Sequence, residues 1–578
     1  MWVTTPNQIS CTSTQDVRVI GNPNKALAAI HAITPGVRTV LLIFVLGVYH
    51  ATGFTQSQNP GFSEPQVHIQ QILSSTPARA EKEPVVLQAT LQEIYQHLQF
   101  RPVWTSESKI RQVLAVLEES TEYGLQPRDY HLPAIKALLA RIRQAPDPAV
   151  TAALDVLLSD GLVLYVHHRR EGKVHPRDLY KEFNFERDHS GDLKPTELVQ
   201  QAAAAEDLAA FINAKAPFGN YYEMLRQQLI AYQALAASGG WPSVPVGPTL
   251  RKNDRDRRVV AMRKRLQVTG ELQSSASNGE DLFNEELKQA VMLFQSLHGL
   301  AADGLVGKQT VAAMNVGVDS RVKQLRVSLE RLRWLEHNSD REFLVVNIAG
   351  FRLAYVKNQV IEWDTRVIVG TPYRTTPVFR SLMTYVEFNP TWTIPPTILR
   401  EDTLPAIRKN PSYLAEKNIS VIDRNGDKVD PSRIDWSSLG RSVPYTLRQE
   451  PGPDNALGLV KFIFPNAYSV YMHDTPHRLL FEQATRSYSS GCIRVEDPFK
   501  LVELVLPDRK DFSLAEVGEI LASGRTRRVL LEKPLPVWLL YLTATPDASG
   551  RAQFFPDIYQ RDPDVADWLD GPVRAELQ

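Results

Sequence analysis

Tyr471-Met-His-Asp-Thr-Pro-His-Arg-Leu-Leu-Phe-Glu-Gln-Ala-Thr-Arg-Ser-Tyr-Ser-Ser-Gly-Cys-Ile-Arg-Val-Glu-Asp-Pro498 decides how the rest of the chain is read. It holds Cys492, one of 2 cysteines in 578 residues, and His473 on its N-terminal side. The approach Tyr468–His473 alternates like a strand, which puts Tyr471 and His473 on one face. Ser489-Ser490-Gly491 is small and turn-prone, and Cys492–Val495 resumes a strand. Asp497 and Pro498 read as the N-cap and first position of a helix through Leu506. A thiol just after a glycine turn can meet a histidine on a neighbouring strand. The histidine deprotonates it, and backbone N–H groups of the turn can face an oxyanion. A small core cysteine beside an unrelated histidine has the same residue types, so spacing by itself leaves both readings open.

Met472-His473-Asp474-Thr475-Pro476, Leu480-Phe481 and Ser489–Val495 resemble the active site of L,D-transpeptidases with a YkuD-type catalytic domain, in particular the large YcbB-like branch of Gram-negative envelopes. Most of that family carries histidine before Gly-Cys. This chain has Ser490 there, so no role of that second histidine transfers. On this reading Cys492 is the nucleophile and His473 the base that activates it and lowers its pKa. The N–H groups of Gly491 and Cys492 are the oxyanion candidates, with Ser490 in the same turn of the substrate site. Tyr471 either presents its hydroxyl to the cleft or packs as a core tyrosine. Arg494 either binds a substrate carboxylate or ties the Cys loop to a neighbouring carboxylate. Asp474 is a poor orienter of His473, because neighbours on a strand point to opposite faces. Acyl transfer through a thioester requires no metal and no organic cofactor.

A chain this long exceeds one core, so several domains are expected. Lys+Arg and Asp+Glu both number 65, which gives no global attraction to nucleic acid. Arg18, Lys25 and Arg38 precede the apolar run Val40–Tyr49, the pattern of an export signal or an uncleaved anchor in the inner membrane, over 1–55. Cys11 lies before that run, so an exported segment carries Cys492 as its one thiol, without an intramolecular disulfide. Residues 56–84, rich in Gln, Ser and Pro, read as a tether.

Residues 85–250 show helical periodicity, with Leu87, Leu91, Ile94, Tyr95 and Leu98 at helix spacing. His167 and His168 are adjacent on a helix and point about 100° apart, so with His175 they make a poor metal site. The stretch Tyr165–Pro176 is similar to the helical scaffold domain of the YcbB-like branch, which implies structure and contacts with other cell-wall synthesis proteins. Residues 251–317 give three short helices. Their line from Ala290 through Phe294, Gly299, Asp303-Gly304 and Gly307 to Thr310 resembles a peptidoglycan-binding domain. The basic run Arg251–Arg265, with Asp254 and Asp256 interleaved, reads as a solvated helix face. Residues 318–338 form a connecting amphipathic helix that packs back on the helical region.

From 339 to 570 the period turns to two, with strands at Glu342–Ile348, Phe351–Lys357 and Gln359–Val369. Residues 398–447 interrupt them with helix and loop, similar to the insert that caps the cleft in the YcbB-like branch. The expected fold is therefore multidomain α+β: a helical scaffold, a three-helix peptidoglycan-binding-like module, and a mostly β catalytic domain with a capping insert.

The resemblance implies a periplasmic, cysteine-dependent acyltransferase. It would take a tetrapeptide stem of peptidoglycan as donor, form 3→3 links between diaminopimelates through a thioester, and be a carbapenem target. An L,D-carboxypeptidase on the same site and a non-catalytic wall-binding scaffold protein are the alternatives.

Overall fold

The computed structural model describes residues 63–185, 193–215, 219–273, 280–335, 340–440, 442–507 and 512–574. The expected export segment over 1–55 lies outside them. The tether does not extend over residues 63–84. Glu64–Ser74 is a helix whose Ile69 and Leu73 are buried, and Arg79–Ala80 pairs with Glu83–Pro84 as a small hairpin. Composition masked a four-residue apolar spacing there, and Gln66 Oε1 accepts the Ser63 N–H at 2.8 Å to start the helix.

The helical region is built on Pro148–Glu171. Asp147 caps it by accepting the N–H of Ala149, and Pro148 occupies the first helical position. This helix is long and apolar enough to cross a membrane, yet 89% of its apolar window is buried inside the protein, the condition of a core helix. Its two buried carboxylates act as cross-braces. Asp155 accepts the N–H groups of Val103 and Trp104 and the Tyr95 hydroxyl, while Asp160 accepts from Val86 and Leu87. Burial pushes the Asp155 carboxyl up to about 6. His168 sits in the same core, 3.2 Å from the Tyr130 hydroxyl.

Three helices, Arg258–Val268, Glu285–Leu297 and Lys308–Met314, close a second core around Met262, Phe283, Val291, Phe294 and Met314. Val244 and Leu250 belong to this core, so the module begins before residue 251 and the scaffold helices end at Ala237. The solvated basic face is corrected in part: Arg251, Lys252, Arg255, Arg257 and Lys264 are exposed, whereas Arg258, Arg263 and Arg265 are buried. Arg265 is 1% exposed, its guanidinium lies 3.9 Å over the Trp241 ring, and its Nε donates to Met314 O. Arg263 reaches Leu282 O, and Arg258 is paired with Asp256. The next helix, Val318–Arg333, is stitched to the helical region by Arg326 on Gly124 O and by Glu330, which accepts the Val174 N–H.

The C-terminal domain is a closed sheet. Its strands are β1 (Glu342–Asn347), β2 (Arg352–Lys357), β3 (Val360–Gly370), β4 (Phe379–Phe388), β5 (Val460–Ile463), β6 (Met472–His473), β7 (Ser487–Ser489), β8 (Ile493–Val495) and β9 (Arg527–Leu540). The order is β7-β3-β8-β6-β5-β4-β9-β1-β2, and β2 returns to pair with β3. The long β3 makes closure possible: residues 360–366 pair with β2, and 367–368 pair with β8. The strand expected over Tyr468–Tyr471 is not formed. The Asn466 side chain takes the N–H groups of Tyr468 and Val470 and turns the chain, with Ser469 at φ +56°.

The insert is more than helix and loop. Ile419–Ile422 pairs with Thr446–Gln449 and Lys428–Val429, and Ile394, Leu399, Ile407, Leu414, Val421 and Leu447 make a core of its own.

Candidate active site

Strand register builds the site. In the parallel pair β6/β8, Met472 lies opposite Ile493 and His473 opposite Arg494. In the antiparallel pair β5/β6, Lys461 lies opposite His473. Paired residues share a face and alternate along each strand. One face therefore carries Val460, Phe462, Met472, Ile493 and Val495, all buried. The other carries Lys461, His473 and Arg494 in a row, with Tyr471 and Cys492 alongside. Helix Pro498–Val505, capped by Asp497 through the Lys500 N–H, packs Leu501 and Val502 into the core directly after β8.

Gly491 turns the chain into Cys492 at φ +113°, a conformation that an L side chain rarely adopts. The surrounding peptides are fixed on both sides. Thr376, fully buried, donates its hydroxyl to Gly491 O at 2.8 Å and accepts the Gly370 N–H at 2.9 Å. The Ser489 hydroxyl donates to Cys492 O and accepts the Gly491 N–H at 3.1 Å. That contact removes Gly491 from the expected oxyanion donors. The Cys492 N–H, which makes no hydrogen bond within the described residues, remains. It lies trans to the Gly491 carbonyl across a planar peptide, so Thr376 aims it by holding that carbonyl.

The surroundings of Cys492 work against the expected thiolate. The half-buried Cys492 thiol donates to Ser469 O at 3.7 Å. Burial pushes it above its ordinary value, opposed by Tyr471 and by the charges of Lys461 and Arg494. His473 is buried, and burial together with the Arg494 charge brings it down to about 3. Its Nδ1–H donates to Asp474 O at 2.5 Å, which leaves Nε2 as the lone-pair nitrogen of a neutral ring. A neutral imidazole cannot lower a thiol pKa by charge, but it can accept a proton. The Asp474 carboxylate is committed elsewhere, to the Leu459 N–H and Arg478.

Tyr471 faces the cleft. Its ring lies 5.7 Å from His473 and under Lys461 Nζ at 4.0 Å, and its hydroxyl is held well above the ordinary phenol range by burial and by the neighbouring Cys492. Arg494 has no ion-pair partner among the described residues, and its Nε is buried without a hydrogen bond. Ser490 is exposed and accepts from Arg374 at 3.0 Å. The Arg374 guanidinium also binds Asp402 at 2.6 Å and Glu401 at 2.7 Å, so it joins the Cys loop to the insert.

Sequence reasoning missed Lys461, Thr376, Arg374 and Ser469. A lysine at an alternating strand position reads as solvent-facing, and the register that brings it beside His473 is not in the sequence. Thr376 carried one signal, its place in a Thr-Pro turn straight after a strand.

The family described as "L,D-transpeptidase catalytic domain" matches residues 341–517, "Scaffold domain" matches 89–229, and "Putative peptidoglycan binding domain" matches 255–314. A protein of Haemophilus influenzae named "Putative L,D-transpeptidase" is 35% identical over 277 residues, 47% of this chain. The match spans 55% of that relative's length. The solved L,D-transpeptidase of Xylanimonas cellulosilytica (its residues 123–326) is 13% identical, with 51% of this chain and 99% of that one covered at a TM-score of 0.15, too low to carry any conclusion.

Proposed function

We propose that the protein, whose residues 341–517 match the L,D-transpeptidase catalytic domain, is an envelope enzyme that links peptidoglycan stem peptides 3→3 through a Cys492 thioester. The observation that carries this reading is the register that sets Cys492, Tyr471, His473 and Arg494 on one face, with the Cys492 N–H free beside the thiol.

The thiol leaves Ser469 O by rotation about χ1 and gives its proton to the lone pair of His473. Sulfur bonds to the carbonyl carbon at the L-centre of diaminopimelate, and the new oxyanion meets the Cys492 N–H. Collapse breaks the C–N bond, and the departing D-alanine amine takes the proton from imidazolium. The amine of a second stem then attacks the thioester. His473 accepts the proton it loses, and the thiol is restored when C–S breaks. The insert, held over the Cys loop by Arg374, favours amine over water in this second half. Peptidoglycan is the substrate that both the catalytic and the binding-like domains fit. Export by the N-terminal apolar run and acylation by carbapenems belong to the same proposal.

The test is purified protein with a disaccharide-tetrapeptide, products read by mass spectrometry. Dimers linked 3→3 with the wild type, and none with Cys492→Ala, are expected. Tripeptide monomers without dimers would make it an L,D-carboxypeptidase. No turnover with retained sedimentation on wall would make it a binding protein.

A further inference from the structure

The buried guanidinium groups of Arg333 and Arg331 are paired with Glu330 and Asp562. Those of Arg265 and Arg321 have no carboxylate but lie over the rings of Trp241 and Phe554. Arg494 has neither a carboxylate nor a ring against it among the described residues, and it stands where the chemistry would occur. It projects on the thiol face two residues past Cys492, its Nε is buried without a partner, and no carboxylate of the described residues forms an ion pair with it. Lys461 stands in the same row. The carboxylate opposite it in the ladder, Glu387, is taken by Arg528 Nε at 2.6 Å. An unpaired cation in a partly desolvated site is costly, and a second one beside it compounds the cost, unless an anion completes the site. The local charge thus calls for a single carboxylate-sized anion a short step from the sulfur.

We propose that Arg494, with Lys461 beside it, binds the terminal carboxylate of the residue that leaves, so that the site measures one residue back from the end of its donor peptide. The inference rests on the transpeptidase reading and deepens it. Two residues of strand separate Cys492 from Arg494 by about 6.6 Å. With the sulfur at the scissile carbonyl, the next carboxyl carbon lies about one residue farther, ~3.8 Å in an extended chain. The long arginine side chain covers the remaining distance and meets that carboxylate in a bidentate hydrogen bond of roughly 2.8 Å. A donor longer by one residue carries its carboxylate past the guanidinium and puts a neutral peptide there instead. The two cations also stabilise the negative charge that develops on sulfur and oxygen, so an occupied clamp neutralises one charge and leaves the other for the reaction.

The experiment compares three tetrapeptide donors on the wild-type protein: free C-terminal acid, C-terminal amide, and free acid with the diaminopimelate side-chain carboxylate amidated. Release of alanine or alaninamide gives kcat/KM. The free acid should exceed the C-terminal amide by about 10- to 100-fold, the range of a charge-assisted hydrogen bond. The side-chain amide should remain within a few-fold of the acid. In Arg494→Gln the acid should fall to the level of the amide, and Arg494→Lys should recover part of the preference. Equal rates on acid and C-terminal amide in the wild type overturn the proposal without touching the transpeptidase reading. So does a loss confined to the side-chain amide, which assigns the cations to the diaminopimelate carboxylate. A preference that survives in Arg494→Gln also overturns it. No turnover of any donor defeats the transpeptidase reading itself. The wild-type comparison stands even where a variant fails to fold.

Discussion

Thr376→Val tests whether the oxyanion donor is aimed from outside the Cys loop. Valine keeps the shape of threonine and removes one hydroxyl that makes two buried hydrogen bonds, to Gly491 O and from Gly370 N. Each group left unsatisfied costs about 1–3 kcal/mol, so roughly 2–6 kcal/mol of stability should be lost. The catalytic effect is separable from that loss. With the Gly491 carbonyl released, the peptide can turn and the Cys492 N–H leaves its direction. Removal of one oxyanion donor typically costs about 3–4 kcal/mol, or 100- to 1,000-fold in rate. The assay is acylation of Cys492 by a tetrapeptide donor, quenched and read as intact mass, against alkylation by iodoacetamide, which builds no oxyanion. Acylation should fall about 100-fold while alkylation stays within twofold, and Thr376→Ser should restore acylation. Equal loss of the two reactions in a folded variant, or no loss of acylation, would refute the reasoning.

Iodoacetamide reactivity of Cys492 should keep climbing through pH 9, because burial holds the thiol above its ordinary value; Arg494→Gln should move the profile higher and His473→Ala should hardly move it. A rise of a full unit in His473→Ala would restore a thiolate–imidazolium pair. Because His473 is neutral above about 3, acyl transfer should show no acid limb near 6.5 in kcat/KM measured from pH 4 to 8. Arg374→Met frees Glu401 and Asp402 from the Cys loop and should raise the hydrolysed share of product several-fold; an unchanged product ratio means the insert's own core positions it. Asp155 is raised to about 6 when folded, so the folded state binds more protons between roughly pH 4 and 6 and stability falls as pH rises through that window. Urea midpoints of Asp155→Asn should lack that slope, which amounts to about 3 kcal/mol.

The candidate site was legible where its residues lay close together in sequence. The alternation of Tyr471 and His473 and the glycine turn before Cys492 specify a shared face through local geometry. What arrives by register or by loop packing carries no local mark. Lys461 is an ordinary strand lysine until the β5/β6 ladder sets it beside His473. Thr376 and Arg374 act on Ser489–Cys492 from a loop more than a hundred residues earlier. The helix Glu64–Ser74 was hidden because its polar composition outweighs Ile69 and Leu73, which tertiary packing selects. Arg265 shows the reverse error: a charge count sends it to solvent, while its stem and planar head suit the face of Trp241.

Lys173 gives the molecule an order of assembly. Its ammonium is 3% exposed and is satisfied by Asp129 at 2.7 Å, Leu569 O at 2.9 Å and Gly571 O at 2.7 Å. Two of those acceptors are made nearly four hundred residues after it. Arg128 and Arg326 also close on Asp570, the last residue of the helix Asp562–Asp570. As the chain leaves the ribosome, the helical region is complete in sequence but still holds an ammonium with one acceptor in place. Its buried ammonium gains the other two only when residues 569–571 have been made and have packed back against it. A chain cut before residue 569 leaves that ammonium with Asp129 alone, so the packing of the helical region is coupled to the helix Asp562–Asp570.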